Sequence, residues 1–363
     1  MADAGRVADE RGGADGGLTP VTLVDVARAA GVSTATASRA MTGKGKVSDD
    51  TRRRVLASAA ALDYQPSEAA RSLRTRATRT IGFVVPDVSS HFYARALKGA
   101  QHTLEAAGYQ VLLMDADERP DREAAAIRSL AARRVDGLIL CSSGGDGSVA
   151  ADLAHRQRLP LVFFDNVVPG IGDARVTLAN EAGMRLLVGH LAQVHGHRRI
   201  GFLGGKTSET SGWERLEGFR LGMLANNLAL DERWIREGDW TIRSGQIETA
   251  ALLGLPEPPT AIISADAAGA LGALVALREA GVRVPGQVAL ACFDEPVAGA
   301  LLDPPITTLV SRDREMGELA ASLVLRALHD PDAEPVDMRL PMELAVRRSC
   351  GCGTAGASGE AAA

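Results

Sequence analysis

The stretch Val21-Thr-Leu-Val-Asp-Val-Ala-Arg-Ala-Ala-Gly-Val-Ser-Thr-Ala-Thr-Ala-Ser-Arg39 decides how the start of this chain folds. Leu23, Val26, Ala27 and Ala30 recur at helical spacing, and Thr22 stands where an N-cap belongs. Gly31 takes positive φ at no steric cost and so can stop the first helix in a tight turn. Ser33 caps a second helix whose Ala35, Ala37 and Ala40 are small enough to pack closely on the first. Its outward positions Thr34, Thr36, Ser38 and Arg39 are short hydroxyl donors and one forked cation, suited to phosphates and base edges. Two short helices about a Gly turn are the sequence form of a helix-turn-helix.

Working outward, Thr42-Gly-Lys-Gly-Lys-Val-Ser48 reads as a loop with two cations. A third helix follows to about Leu62, with Val55, Leu56, Ala59 and Leu62 as its apolar face. Arg52, Arg53 and Arg54 near its start oppose the helix dipole unless an anion is close. Tyr64-Gln-Pro66 ends it. Ser67-Glu-Ala-Ala-Arg-Ser-Leu73 then offers about two helical turns, too few to hold alone in water.

Charge is distributed unevenly. The chain of 363 residues carries a net −5, yet residues 21–80 hold eleven Lys/Arg against five Asp/Glu. A basic module on an acidic body implies a polyanionic partner at one end only. Residues 1–20 are rich in Gly, Asp and Ala and lack an apolar segment, so no signal peptide is expected there. No apolar run of membrane-spanning length occurs. Cys141 and Cys292 fall in apolar runs and read as small buried thiols. Cys350-Gly-Cys352 has no second ligand pair at metal-site spacing, so neither metal nor cofactor is expected, and a reducing cytoplasm fits the lack of a disulfide framework.

From Thr80 the chain alternates strand and helix. Ile81–Val85, Val111–Met114, Leu138–Cys141, Leu161–Phe164, Ile200–Leu203, Ala261–Ser264 and Val288–Phe293 are short continuous apolar runs, the mark of buried parallel strands. Amphipathic stretches near 93–107, 121–133, 147–158, 180–193, 211–226, 244–253, 266–280 and 314–328 separate or follow them. The rhythm predicts two doubly wound α/β lobes, with a cleft beyond the carboxyl ends of their strands. Gly201-Phe-Leu-Gly-Gly-Lys-Thr207 imitates a phosphate-binding loop but is one residue short, since Ile200 stands where the first Gly belongs. No catalytic constellation accompanies the strand ends, and an enzyme is not expected.

The helix-turn-helix, Tyr64-Gln-Pro66, Ala69-Ala-Arg-Ser-Leu73, Ile81-Gly-Phe-Val-Val-Pro-Asp87, Gly196-His-Arg-Arg-Ile-Gly-Phe202 and Glu214-Arg-Leu-Glu-Gly-Phe-Arg220 together resemble the LacI/GalR family of bacterial transcription regulators, to about Cys350. Composition makes 1–20 a disordered tail, and the resemblance implies a helix-turn-helix domain (21–66), a hinge helix and linker (67–79) and a two-lobed, periplasmic-binding-protein-like effector and dimerisation domain (80–350). Lobe 1 would span about 80–178 with a return near 310–335, lobe 2 about 179–308 with a C-terminal strand, and 351–363 a second tail.

It implies a homodimer on pseudo-palindromic operator DNA, reading bases with Thr34, Ala35 and Arg39. Thr22, Ser33, Thr36 and Ser38 would contact phosphates or else serve as local caps. Leu73 would wedge between base pairs in the minor groove beside Arg74. A small sugar-like effector would meet Phe92, Asp165, Arg215, Trp240, Asp266 and Asp294, with Asp266 equally suited to capping the helix after it. Ser90-His91-Phe92 stands where relatives often have Asn-Pro-Phe, Ala265 where an Asn is common, and Ser311 where a larger polar residue is frequent. The resemblance points to a repressor, with an activator or corepressor-dependent regulator of the same family as the alternative.

Overall fold

The computed structural model describes residues 21–43, 45–65 and 77–353. Leu73, Arg74 and the whole Ser67–Leu73 segment lie outside the described residues, as do 1–20 and 354–363, whereas Gly351–Gly353, expected in the second tail, are described as a turn. The chain divides into two compact units, one ending at Thr78 and the other beginning at Arg79.

In the first unit, α1 (Leu23–Ala29), α2 (Thr34–Thr42) and α3 (Asp49–Ala61) share one small core. Val26, Ala27, Ala30, Ala37, Ala40, Val55 and Ala59 are buried there, with Leu23, Val32, Met41, Val47, Leu62 and Tyr64 packed around them. Leu56 departs from the expected apolar face and is 46 % exposed. Val55 and Ala59, one turn apart, already close the core, and Leu56 points off their stripe. Asp49 and Asp50 occupy the first turn of α3 and complement its dipole, while Asp50 pairs with Arg53 at 3.6 Å and Arg54 at 4.0 Å.

The second unit holds two six-stranded sheets. The first runs β11-β5-β4-β3-β1-β2, built from Val336–Leu340, Ala174–Leu178, Leu161–Phe164, Gly137–Leu140, Thr80–Val85 and Gln110–Asp115, all parallel. The second runs β12-β10-β9-β8-β6-β7, built from Glu343–Ala345, Thr307–Val310, Ala289–Cys292, Ala261–Ser264, Ile200–Leu203 and Ile235–Arg236. Only β12 is antiparallel to its neighbour. The expected apolar strands are all present, and all but one are buried on both faces; β2, at the edge of the first sheet, is only half-buried.

Around the first sheet lie α4 (His91–Ala106), α5 (Pro120–Ala132) and α6 (Ser148–Gln157). Around the second lie α7 (Asn180–Gly189), α8 (Thr210–Ala225), α9 (Ile242–Leu253) and α10 (Ala267–Glu279). The final helix, α11 (Asp313–His329), returns to pack on α4. The two backbones meet there: a Cβ on Gly99 would lie 2.0 Å from the Arg314 carbonyl oxygen, and one on Gly317 1.8 Å from that of Ala96. Only glycine permits that approach. The return through the first lobe runs from Asp313 to Leu340, later than the 310–335 expected, because β10 belongs to the second sheet and β11 to the first.

The chain thus crosses between lobes three times: at Ala179, at Ser311-Arg312 and at Pro341-Met342. The Ala179 amide donates to the Leu340 carbonyl at 2.9 Å, tying two of these crossings together.

Candidate functional site

In the first unit, Ser33 caps α2 by accepting from the Thr36 amide at 3.2 Å, and the two hydroxyls lie 2.9 Å apart. The Thr22 hydroxyl donates to Asp25 at 2.7 Å, as does its amide at 3.0 Å. Three of the hydroxyls expected at phosphates are therefore engaged in local capping bonds. Ala35 is exposed, so only Ala37 and Ala40 of the three alanines pack against α1. With Thr34 and Arg39 it forms an exposed face, and Ser38 lies one turn beyond Thr34 on the same side.

In the second unit, Arg215 on α8 is almost fully buried and organises its surroundings. Its guanidinium donates to Asn180 Oδ1 at 2.9 Å, to the Ala265 carbonyl at 2.7 Å and to Asp294 Oδ2 at 3.4 Å, and lies 3.9 Å from Asp165 Oδ1. It also sits 4.0 Å from the centre of the Phe293 ring, a cation–π contact. Asp165 follows β4 and Asp294 lies two residues past β9, so the strand ends of both sheets deliver carboxylates to one cation.

Carboxylates outnumber cations here. Burial pushes Asp165 up, with Arg215 opposing. Burial likewise raises Asp294 to about 8, against Arg215 and helped by Asp313 and Asp165. Asp313 is raised by burial as well, while it accepts from the Ser311 hydroxyl. Oδ1 of Asp165 and of Asp294 are both buried without a hydrogen-bond partner. Such oxygens are costly unless a donor reaches them.

Trp240 lies flat against Gly205, where a Cβ would meet its ring at 2.0 Å, and donates its indole N–H to Glu209 at 2.8 Å. Glu209 also receives the Asn166 amide at 3.2 Å. Burial and the nearby Glu118 raise it to about 7, with Lys206 opposing. Lys206 spans the lobes to Glu118 at 2.7 Å. Asp266 caps α10, accepting from the Ala268 amide at 2.9 Å and the Gly269 amide at 3.1 Å. Of its two readings, the cap is the one the geometry satisfies. Phe92 stacks edge-on against Tyr93, whose hydroxyl donates to Asp165 at 3.3 Å. His91 is exposed at the start of α4.

Arg215, Asp165, Asp294 and Trp240 are thus brought together, Arg215 lying 5.7 Å from the Trp240 ring. Tyr93, Glu209, Phe293 and Asp313 belong to the same cluster and escaped the sequence reading. Their one sequence signal is position just after a strand or at a helix start. A cavity of about 390 Å³ between the lobes adjoins this cluster through Glu209 and is lined also by Asn166, Thr210, Trp213, Arg339 and others, though none of the six expected ligand residues lines it.

A basic three-helix unit joined to two lobes with a charged junction between them is the architecture of a ligand-responsive transcription regulator. The profile described as bacterial regulatory proteins, lacI family, matches residues 22–67, and that of the periplasmic binding protein-like domain matches 188–350. The chain is 30 % identical to the HTH-type transcriptional repressor PurR of Photobacterium profundum, over 90 % of this chain and 98 % of that one. A crystal structure of the lac repressor dimer bound to operator and the anti-inducer ONPF superposes with a TM-score of 0.81 at 30 % identity, covering 91 % of this chain and 99 % of that one. The transcriptional regulator CelR–cellobiose complex matches with a TM-score of 0.70 at 30 % identity, again over 91 % and 99 %. The chain belongs to the lacI family of bacterial regulatory proteins, and its relatives are transcriptional repressors rather than enzymes. No helix among the described residues is long and apolar enough to cross a membrane.

Proposed function

We propose that this protein is a repressor that grips a pseudo-palindromic operator as a homodimer and releases or tightens that grip when a small sugar-like effector binds between its lobes. The observation that carries this reading is the Arg215 junction, with its two buried carboxylate oxygens lacking donors. A polyol presents many hydroxyl donors and an apolar ring face, which suits Asp165 and Asp294 together with Trp240 and Phe92. The solved relatives in complex with cellobiose and with operator and anti-inducer support the same reading.

On DNA, Arg39 reaches a guanine bidentately, while Thr34 and Ala35 read by hydrogen bond and methyl contact. Ser38 joins the phosphate contacts, whereas Thr22, Ser33 and Thr36 hold the helix starts at the backbone through their caps. Leu73 wedges in the minor groove with Arg74 beside it. Effector binding shifts DNA affinity only through different affinity for the two states of the lobes. Among the six ligand positions, Asp266 acts by fixing α10 rather than by direct contact.

A thermal-shift screen of sugars, followed by operator binding with each hit, tests the reading. At least one hit is expected to change operator affinity, and Arg215→Lys is expected to keep operator binding while losing that change. A sugar response retained in Arg215→Lys removes the junction from the effector site. Leu73→Ala is expected to bind the operator more weakly and to bend it less. Unchanged affinity and bending rule out the wedge.

A further inference from the structure

The pair Cys350-Gly-Cys352 finds partners that its sequence spacing did not disclose. α7 ends in a π-helical turn, His190–Val194, with His195 as its cap. In an α-helix, residues five apart diverge by roughly 140° at about 100° per residue. The i→i+5 closure of a π turn instead stacks them, and the two imidazoles lie 5.1 Å apart. The C-terminal segment meets them from the other side. The His190 Nε2 atom is 3.3 Å from Cys350 Sγ and 3.9 Å from Cys352 Sγ, and His195 Nε2 is 3.2 Å from Cys352 Sγ.

The four ligand atoms all lie within 4.8 Å of one another. Bond lengths of about 2.3 Å to sulfur and 2.0–2.1 Å to nitrogen give a tetrahedron whose edges are roughly 3.3–3.8 Å. The observed separations straddle those edges. Gly351 makes the short turn possible: its φ is +108°, and a Cβ there would stand 3.2 Å from His195 Nδ1. Behind the cluster, the Thr307 hydroxyl donates to Cys350 Sγ at 3.0 Å, the kind of support that orients a thiolate ligand. Ser349 fixes the approach, its hydroxyl donating to the Leu290 carbonyl and its backbone bonding to both Leu290 and Pro305.

We propose that His190, His195, Cys350 and Cys352 form a structural Zn²⁺ site that clamps the C-terminal segment to the end of α7. Two nitrogens and two thiolates are a closed tetrahedral set for this borderline ion, with no position left for a reacting water. The His-x4-His spacing is usual for such sites, and Cys-x-Cys is one residue tighter than most. Binding turns both thiols into thiolates and releases their protons to solvent. The site lies away from the Arg215 junction, so it stabilises the second lobe without contacting effector.

The test uses the full chain, stripped with chelator under reducing conditions and titrated with ZnCl₂ or CoCl₂. About one Zn²⁺ per chain is expected, with a rise in unfolding temperature and, for Co²⁺, visible bands of a tetrahedral ion with a thiolate charge-transfer band. Cys352→Ser and His195→Ala should lose the charge-transfer intensity and most of the zinc while keeping a native far-ultraviolet dichroism spectrum. Absence of the cobalt bands in the folded, reduced protein overturns the proposal. So does zinc content that is the same in both variants as in the unsubstituted chain, or a Cys350–Cys352 disulfide that persists under those reducing conditions.

Discussion

The two units handle polar groups in opposite ways. In the first, hydroxyls and charges stand at the surface and satisfy one another locally: Thr22 with Asp25, Ser33 with Thr36, Asp50 with Arg53 and Arg54. In the second, one guanidinium and several carboxylates are taken out of water, and one oxygen each of Asp165, Glu209 and Asp294 has no hydrogen-bond partner. A surface reader can exchange side chains at little cost to its fold. A buried junction couples recognition to stability, so its residues cannot change identity independently.

Mutation separates the two regimes. Arg215→Ala leaves Asp165, Asp294 and Asn180 without their shared partner, and denaturant unfolding should show a loss of about 3–5 kcal/mol. A loss below about 1 kcal/mol would mean that the junction is solvated like the surface. Arg39→Ala should weaken operator binding by about 1–3 kcal/mol, or roughly five- to 150-fold, with no change in the unfolding midpoint. A Tm drop instead of an affinity loss would erase the contrast between the units.

A smaller effect sharpens it. Asp294 at about 8 and Glu209 at about 7 stand above their unfolded values near 4, so between those limits the folded chain holds more protons than the unfolded one. Stability is therefore present at low pH and declines as pH rises towards about 8, by at most about 1.4 kcal/mol per pH unit for each group. Unfolding temperatures measured from about pH 5.5 to 8.5 should fall, and Asp294→Asn should flatten the slope. An unaltered slope in that variant would assign the pH dependence elsewhere.

Much of this was legible in the chain because it rests on local pattern. The apolar runs of β1, β3, β4, β6, β8 and β9 need no context to be read as buried strands. β5, Ala-Arg-Val-Thr-Leu, and β11, Val-Asp-Met-Arg-Leu, break that pattern, since Arg175 and Asp337 pair across adjacent strands at 2.9 Å. Their partners lie far away in sequence, and no window contains both. The same holds at the site. Arg215, Asp165 and Asp294 announce themselves by motif, whereas Tyr93, Glu209 and Asp313 matter only through what the fold sets beside them. Asp266 reads in sequence as either ligand or cap, and two amides that point at it supply the cap bonds no sequence window could show. His190 and His195 were hidden by helical geometry itself, because only the π turn aligns residues so spaced.

The three crossings between the lobes have a mechanical corollary. Each is one or two residues long, at a span of at most about 3.6 Å per residue, so none contains slack. With Ala179 and Leu340 fastened side by side, the links act as a short torsion bar rather than a tether. Such short links hold the facing edges of the lobes together, so rotation about them is the relative motion they leave least restrained.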